Sequence, residues 1–152
     1  MRKQLLLTIA NILGLCVIIA AVSIAFVDNS TWMGPVLVAL GLLCLISLIP
    51  FGIKLRSVQP DIFFGVIDNG ILAVMAIFGG HLAGVTGAIL GGVVGNAITD
   101  GIAGIFEGYA AENLRIQLIA EERTMLKSAV GKMAGCLLSA GTVLIIDSLI
   151  SL

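Results

Sequence analysis

Long apolar stretches separated by short polar breaks dominate the chain. Residues 4–27 are largely apolar after the basic pair Arg2-Lys3. A bilayer crossing takes about 20 such residues, so this stretch predicts a first transmembrane helix. The small residues Ser23-Ile24-Ala25 would also suit a signal-peptide cleavage site, but the apolar run is long for a signal core, and a retained span is expected. Asp28-Asn29-Ser30 with Trp32 reads as a polar turn carrying an interfacial aromatic. A second span, 33–53, ends near Pro50, and Lys54, Arg56 and Pro60 mark the loop after it. Residues 62–107 are almost continuously apolar, about twice one crossing, and Gly79-Gly80-His81 with Gly84 interrupts them. They divide into a third span, 62–80, and a fourth, 84–107. Residues 109–127 mix Glu112, Arg115, Glu121, Glu122, Arg123 and Lys127 with Leu114, Leu118 and Met125, the pattern of an amphipathic cytoplasmic helix. Residues 129–151 make a fifth span. The expected fold is all-α: a polytopic, multi-pass integral membrane protein whose residues 1–152 form a single membrane domain.

Composition agrees with that reading. Hydrophobic residues make up 59% of the chain and charged ones 11%, which excludes an ordinary soluble globule. Eight Lys and Arg against nine Asp and Glu leave no basic field, so no nucleic-acid partner is expected. Five spans with a cytoplasmic N-terminus put all eight basic residues, from Arg2 to Lys132, on the cytoplasmic side and the C-terminus outside. A four-span alternative, with 62–107 as a re-entrant hairpin or with one helix lost, sends basic residues to both faces. Cys16, Cys44 and Cys136 stand singly in apolar runs, with neither a disulfide framework nor a zinc motif around them.

Ionisable residues inside a span are costly and therefore candidates for function. Asp68 and Asp100 lie about seven residues from the cytoplasmic ends of the third and fourth spans, about 10 Å deep at helical rise. Antiparallel neighbours would present them at one level. Asn69 adjoins Asp68, Asn96 is one turn from Asp100, Glu107 lies two turns further on, and Asp61 stands two turns below Asp68. Together they suggest a cation or proton path leading to a paired-carboxylate site, with a divalent metal or a proton as guest. In the plainer reading Asp68 and Asp100 are interhelical hydrogen-bonding groups, one of them protonated. Met75 could add a thioether but suits packing better. His81 suits an exposed turn, and Lys132 and Asp147 suit snorkelling ends of the last span.

Gly87, Gly91 and Gly95 recur every fourth residue on the fourth span, beside a second row through Gly92, Asn96 and Asp100. Such a face lets another backbone approach closely, within the chain or in a dimer. No P-loop, HExxH or Ser/His/Asp set is present, so neither an enzyme nor a bound cofactor is expected.

The stretches Ile67-Asp68-Asn69-Gly70-Ile71, Gly79-Gly80, Ala97-Ile98-Thr99-Asp100-Gly101-Ile102-Ala103 and Glu107-Gly108-Tyr109-Ala110-Ala111-Glu112 resemble the first two helices of the vacuolar iron transporter (VIT) family. That resemblance implies a dimeric divalent-metal/proton antiporter. It implies Asp68 and Asp100 as pathway acids, and Glu112, Glu121 and Glu122 among metal-gathering residues. Where the family has Ser-Met after the second Asp-Gly, this chain has Ala103-Gly104. Two extra spans precede the match, and one follows the amphipathic helix where the family has three. The functional expectation is transport of a small cation, a divalent metal exchanged for protons, by a homo-oligomer in the lipid bilayer. The competing expectation is a non-catalytic scaffold or accessory subunit that docks a partner through the glycine-rich helix.

Overall fold

A computed structural model describes residues 2–117 and 124–150, with side chains described throughout except at 2, 3, 30, 103 and 106–117. The described residues are helical, without strands: α1 (Arg2–Phe26), α2 (Ser30–Ile46), α3 (Gln59–Gln117) and α4 (Met125–Ile150). Two short 3₁₀ turns, Ile49–Phe51 and Leu55–Ser57, carry the chain from α2 to α3. Four helical segments are long and apolar enough to cross a membrane: Gln4–Phe26, Thr31–Phe51, Gln59–Ile102 and Met125–Ile150. Their outer faces carry Val85, Leu82 and Phe63 at 78%, 71% and 67% exposure, an apolar surface far larger than a water-soluble monomer presents.

α3 is not one rod. Ala83 (φ −142°, ψ 26°) and Gly84 (φ 58°, ψ −139°) leave helical geometry, and the positive φ at Gly84 is one that a residue with a Cβ rarely adopts. The chain reverses there. A Cβ on Gly87 would strike the carbonyl of Gly79, one on Gly91 the carbonyl of Met75, and one on Gly95 the backbone of Leu72. These pairings retreat step by step from the turn, so the arms 59–82 and 85–117 form an antiparallel hairpin zipped by glycines. The expected break near Gly84 is therefore present, although the helix before it runs past residue 80.

α4 is the central helix. Gly131 and Gly135, one turn apart, receive α3: a Cβ on Gly135 would meet the carbonyl of Ile62, and one on Gly131 the Cβ of Asp61. Further along, Gly141 lies against Gly34 of α2, where an added Cβ would come within 2.7 Å of the Gly34 carbonyl. Backbone contact of this kind stabilises helix pairs by dispersion where lipid removes the hydrophobic drive. A small apolar core of Leu15, Cys44, Leu48, Val58, Leu126 and Val130 joins α1, α2, the start of α3 and α4. α1 is also tied to the turn after α2 by a hydrogen bond from Asn11 Nδ2 to Ser47 Oγ (3.4 Å).

The last helix starts before the expected residue 129. Thr124 precedes it and accepts the Lys127 N–H on its hydroxyl (3.3 Å), an N-cap that draws Met125, Leu126 and Lys127 into α4. Of the expected amphipathic segment 109–127, residues 109–117 continue α3, and 118–123 lie outside the described residues.

Candidate functional site

Asp68 sits in the seam of the α3 hairpin. Thr99, on the opposite arm and 2% exposed, donates its hydroxyl to Asp68 Oδ1 at 2.5 Å, and Asn69 Nδ2 lies 3.4 Å from Oδ2. The neighbours on this level are small: Gly70 faces Ser139 of α4, and Gly95 faces Leu72 and Met75. The seam thus brings together one carboxylate, one hydroxyl and one amide between close-packed backbones. Met75 lies against Gly95 as packing.

Asp100 follows Thr99 and is turned about 100° around the helix, as 3.6 residues per turn require. Its carboxylate is exposed and accepts from Asn96 Nδ2 at 2.8 Å. Both residues line a shallow groove with Leu72, Gly92, Val93 and Ala97 on the outer side of the hairpin. The hydrogen bonds to Asp68 and Asp100 thus come from different neutral groups, Thr99 and Asn69 for one and Asn96 for the other.

Asp61, two turns before Asp68, is 3% exposed and accepts from Ser128 Oγ of α4 at 3.1 Å. The first arm of α3 therefore carries two acids bonded to hydroxyls on two different neighbours, Asp61 toward α4 and Asp68 toward the second arm. Lys132 lies near Asp61's end of α4, its Nζ 3.9 Å from the centroid of the Phe64 ring, where a cation–π attraction holds it.

Glu107 and Glu112 fall on α3, but their side chains lie outside the described residues, as do Glu121 and Glu122 altogether. Among the described residues no group of three or more His, Cys, Asp or Glu is placed to hold a metal ion. Among them, too, every buried side-chain nitrogen or oxygen has a hydrogen-bond partner. His81 is exposed beside the hairpin turn. Gly87, Gly91 and Gly95 all turn toward the first arm, so this stripe closes the hairpin. The row through Gly92, Asn96 and Asp100 looks outward.

Sequence reasoning passed over Thr99, Ser128 and the Gly131/Gly135 pair. The last was visible as a small-xxx-small spacing. The hydroxyls carried no pattern of their own and emerge only once their helices are paired. A scan against protein-family models, a search of curated proteins and a search of solved structures each return no match.

Proposed function

We propose that this chain is a five-span membrane protein, N-terminus cytoplasmic, that moves a small cation in exchange for protons, with Asp68 as the group that holds the cation and the proton in turn. The observation that carries the reading is the Asp68–Thr99 contact: an ionisable side chain in the seam of the hairpin, bonded to a hydroxyl of the opposite arm. Desolvating a carboxylate is costly, and a hydroxyl or amide could clasp two helices at lower cost, so the acid is best accounted for by a task that needs its charge. Protonated, Asp68 is neutral and compatible with the seam. Ionised, it offers a cation its own oxygens beside those of Thr99 and Asn69. Hard oxygen donors suit a proton or a divalent metal ion. Asp100, one position along from Thr99, faces the outer groove instead, so the seam itself offers a cation one carboxylate, with Glu107, Glu112, Glu121 and Glu122 as gathering acids toward the cytoplasm.

The active form on this reading is a homo-oligomer. Asn96 and Asp100 lie on an outward face beside exposed Val93, an unfavourable place for a carboxylate in lipid. An amide donor beside a carboxylate acceptor is self-complementary, so a second copy related by a two-fold axis would cover both.

The scaffold reading keeps one observation in its favour, since the Thr99 bond alone would make Asp68 a structural clasp. Water access separates the two. In a cysteine-free background, Asp68→Cys should react with a membrane-impermeant thiol reagent from one side if the site is a transport site. A residue 68 unreactive from both sides in folded protein favours the clasp.

A further inference from the structure

A divalent ion held in the hairpin seam by Asp68 alone would keep an uncompensated positive charge between packed helices. Charge balance calls for a second anionic ligand at the same level, and the packing of α4 shows what stands there. α4 and the first arm of α3 run parallel: Gly131 receives Asp61, Gly135 receives Ile62, and Gly70 of α3 lies beside Ser139. In this register Lys132 of α4 reaches the Phe64 ring. One turn further along each helix stand Cys136 and Asp68.

Gly65 sits against the backbone at this point, where an added Cβ would come within 2.9 Å of the Cys136 nitrogen. Cys136 is a free thiol, half-buried as Asp68 is, and the two groups are near enough for their charges to interact. The other cysteines are placed differently, Cys44 within the apolar core beside Leu15 and Leu48 and Cys16 exposed on α1. The charged groups nearest this level are Lys132, held over Phe64, Asp61, bonded to Ser128, and Asp100, turned to the outer groove.

We infer that Cys136 is the second anionic ligand of the Asp68 site, so that a divalent ion in the seam is held by one thiolate, one carboxylate and the neutral oxygens of Thr99 and Asn69. The inference rests on the cation reading of Asp68 and narrows its substrate class. The metal–sulfur bond forms as the S–H proton leaves to water, and the two negative ligands cancel the charge of the ion. Four donors of this kind suit a tetrahedral site. A thiolate favours Cd²⁺, Zn²⁺ and Fe²⁺ over Mg²⁺ and Ca²⁺, which prefer oxygen ligands throughout.

The probe is Cd²⁺ alone, added to the full chain in mild detergent. A Cys16→Ala, Cys44→Ala background leaves Cys136 as the one thiol. Sulfur-to-cadmium charge-transfer absorption reports the bond, and equilibrium dialysis reports the affinity. The background protein should bind one Cd²⁺ per chain with the absorption band, and a large excess of Mg²⁺ should not displace it. Cys136→Ser should remove the band and most of the Cd²⁺ binding, and Asp68→Asn should weaken the affinity at least about tenfold. Because the band reports binding and not movement, a chain that shows it yet carries no ion supports the ligand pair while removing the transport reading. Absence of the band in the background protein, or undiminished Cd²⁺ binding in Cys136→Ser, would overturn the inference. So would background affinity in Asp68→Asn, which puts the metal on Cys136 away from the seam.

Discussion

The Thr99 hydroxyl reaches the Asp68 carboxylate across 31 residues of sequence, because the reversal at Ala83 and Gly84 lays the two arms of α3 side by side. This contact ties the glycine zipper to the acid. With larger residues at Gly87, Gly91 or Gly95, the arms could not approach closely enough for a side chain as short as threonine to span the seam.

Thr99→Val keeps the shape of the side chain and removes its donor. Interhelical hydrogen bonds in membranes contribute about 0.6 kcal/mol on average and up to about 1.7. Because the acceptor is a carboxylate, the loss should fall in the upper part of that range, read from reversible unfolding in mixed micelles. Stability equal to wild type would mean that Asp68 does not depend on Thr99.

The zipper predicts opposite outcomes for two glycine-to-alanine changes on one arm. Gly87→Ala drives a Cβ onto the Gly79 carbonyl, so the arms must part, at about 1–3 kcal/mol. Gly101→Ala meets nothing within 4 Å and should be neutral or stabilising by up to about 1 kcal/mol through helix propensity. Thermal denaturation of the two variants in one detergent gives the comparison, and equal effects would contradict the hairpin register.

Thr124→Ala should loosen the start of α4 by about 0.5–2 kcal/mol, whereas Thr124→Ser should retain the cap. Amide exchange at residues 125–128 reads this locally, with faster exchange in the alanine variant alone.

The long apolar helices follow directly from apolar run length, and the hairpin break from Gly79-Gly80-His81 and Gly84, because such a chain has few ways to pair its backbone polar groups. The shared level was equally legible: Asp68 and the Thr99-Asp100 pair stand side by side once the arms are antiparallel. Orientation was not. Adjacent residues on a helix differ by about 100°, and nothing in the string Ala97-Ile98-Thr99-Asp100 tells which one meets Asp68 until Gly91 and Gly95 are seen to face the first arm. The start of α4 was obscured for a different reason. Lys127 looked like part of a charged surface segment, while the signal that mattered was the single capping hydroxyl of Thr124.

The five-span arrangement makes a plain topological prediction. A reporter fused after residue 57 should read as cytoplasmic and one fused at residue 152 as external. A cytoplasmic C-terminus would leave an even number of spans and remove the reading in which all basic residues share one side.

The central claim is that Asp68 carries the cation and the proton, and the most direct measurement is flux in liposomes holding a pH-sensitive dye. Wild-type protein given an inward Mn²⁺ gradient should take up the metal and move protons outward with it. Asp68→Asn, which keeps the side chain's size and loses its charge, should insert normally yet abolish both movements, while Glu112→Gln should mainly weaken apparent affinity. Coupled Mn²⁺ and proton movement at wild-type rates in Asp68→Asn, or no flux above empty liposomes for wild type across Mn²⁺, Fe²⁺, Co²⁺, Mg²⁺ and Ca²⁺, would contradict the account.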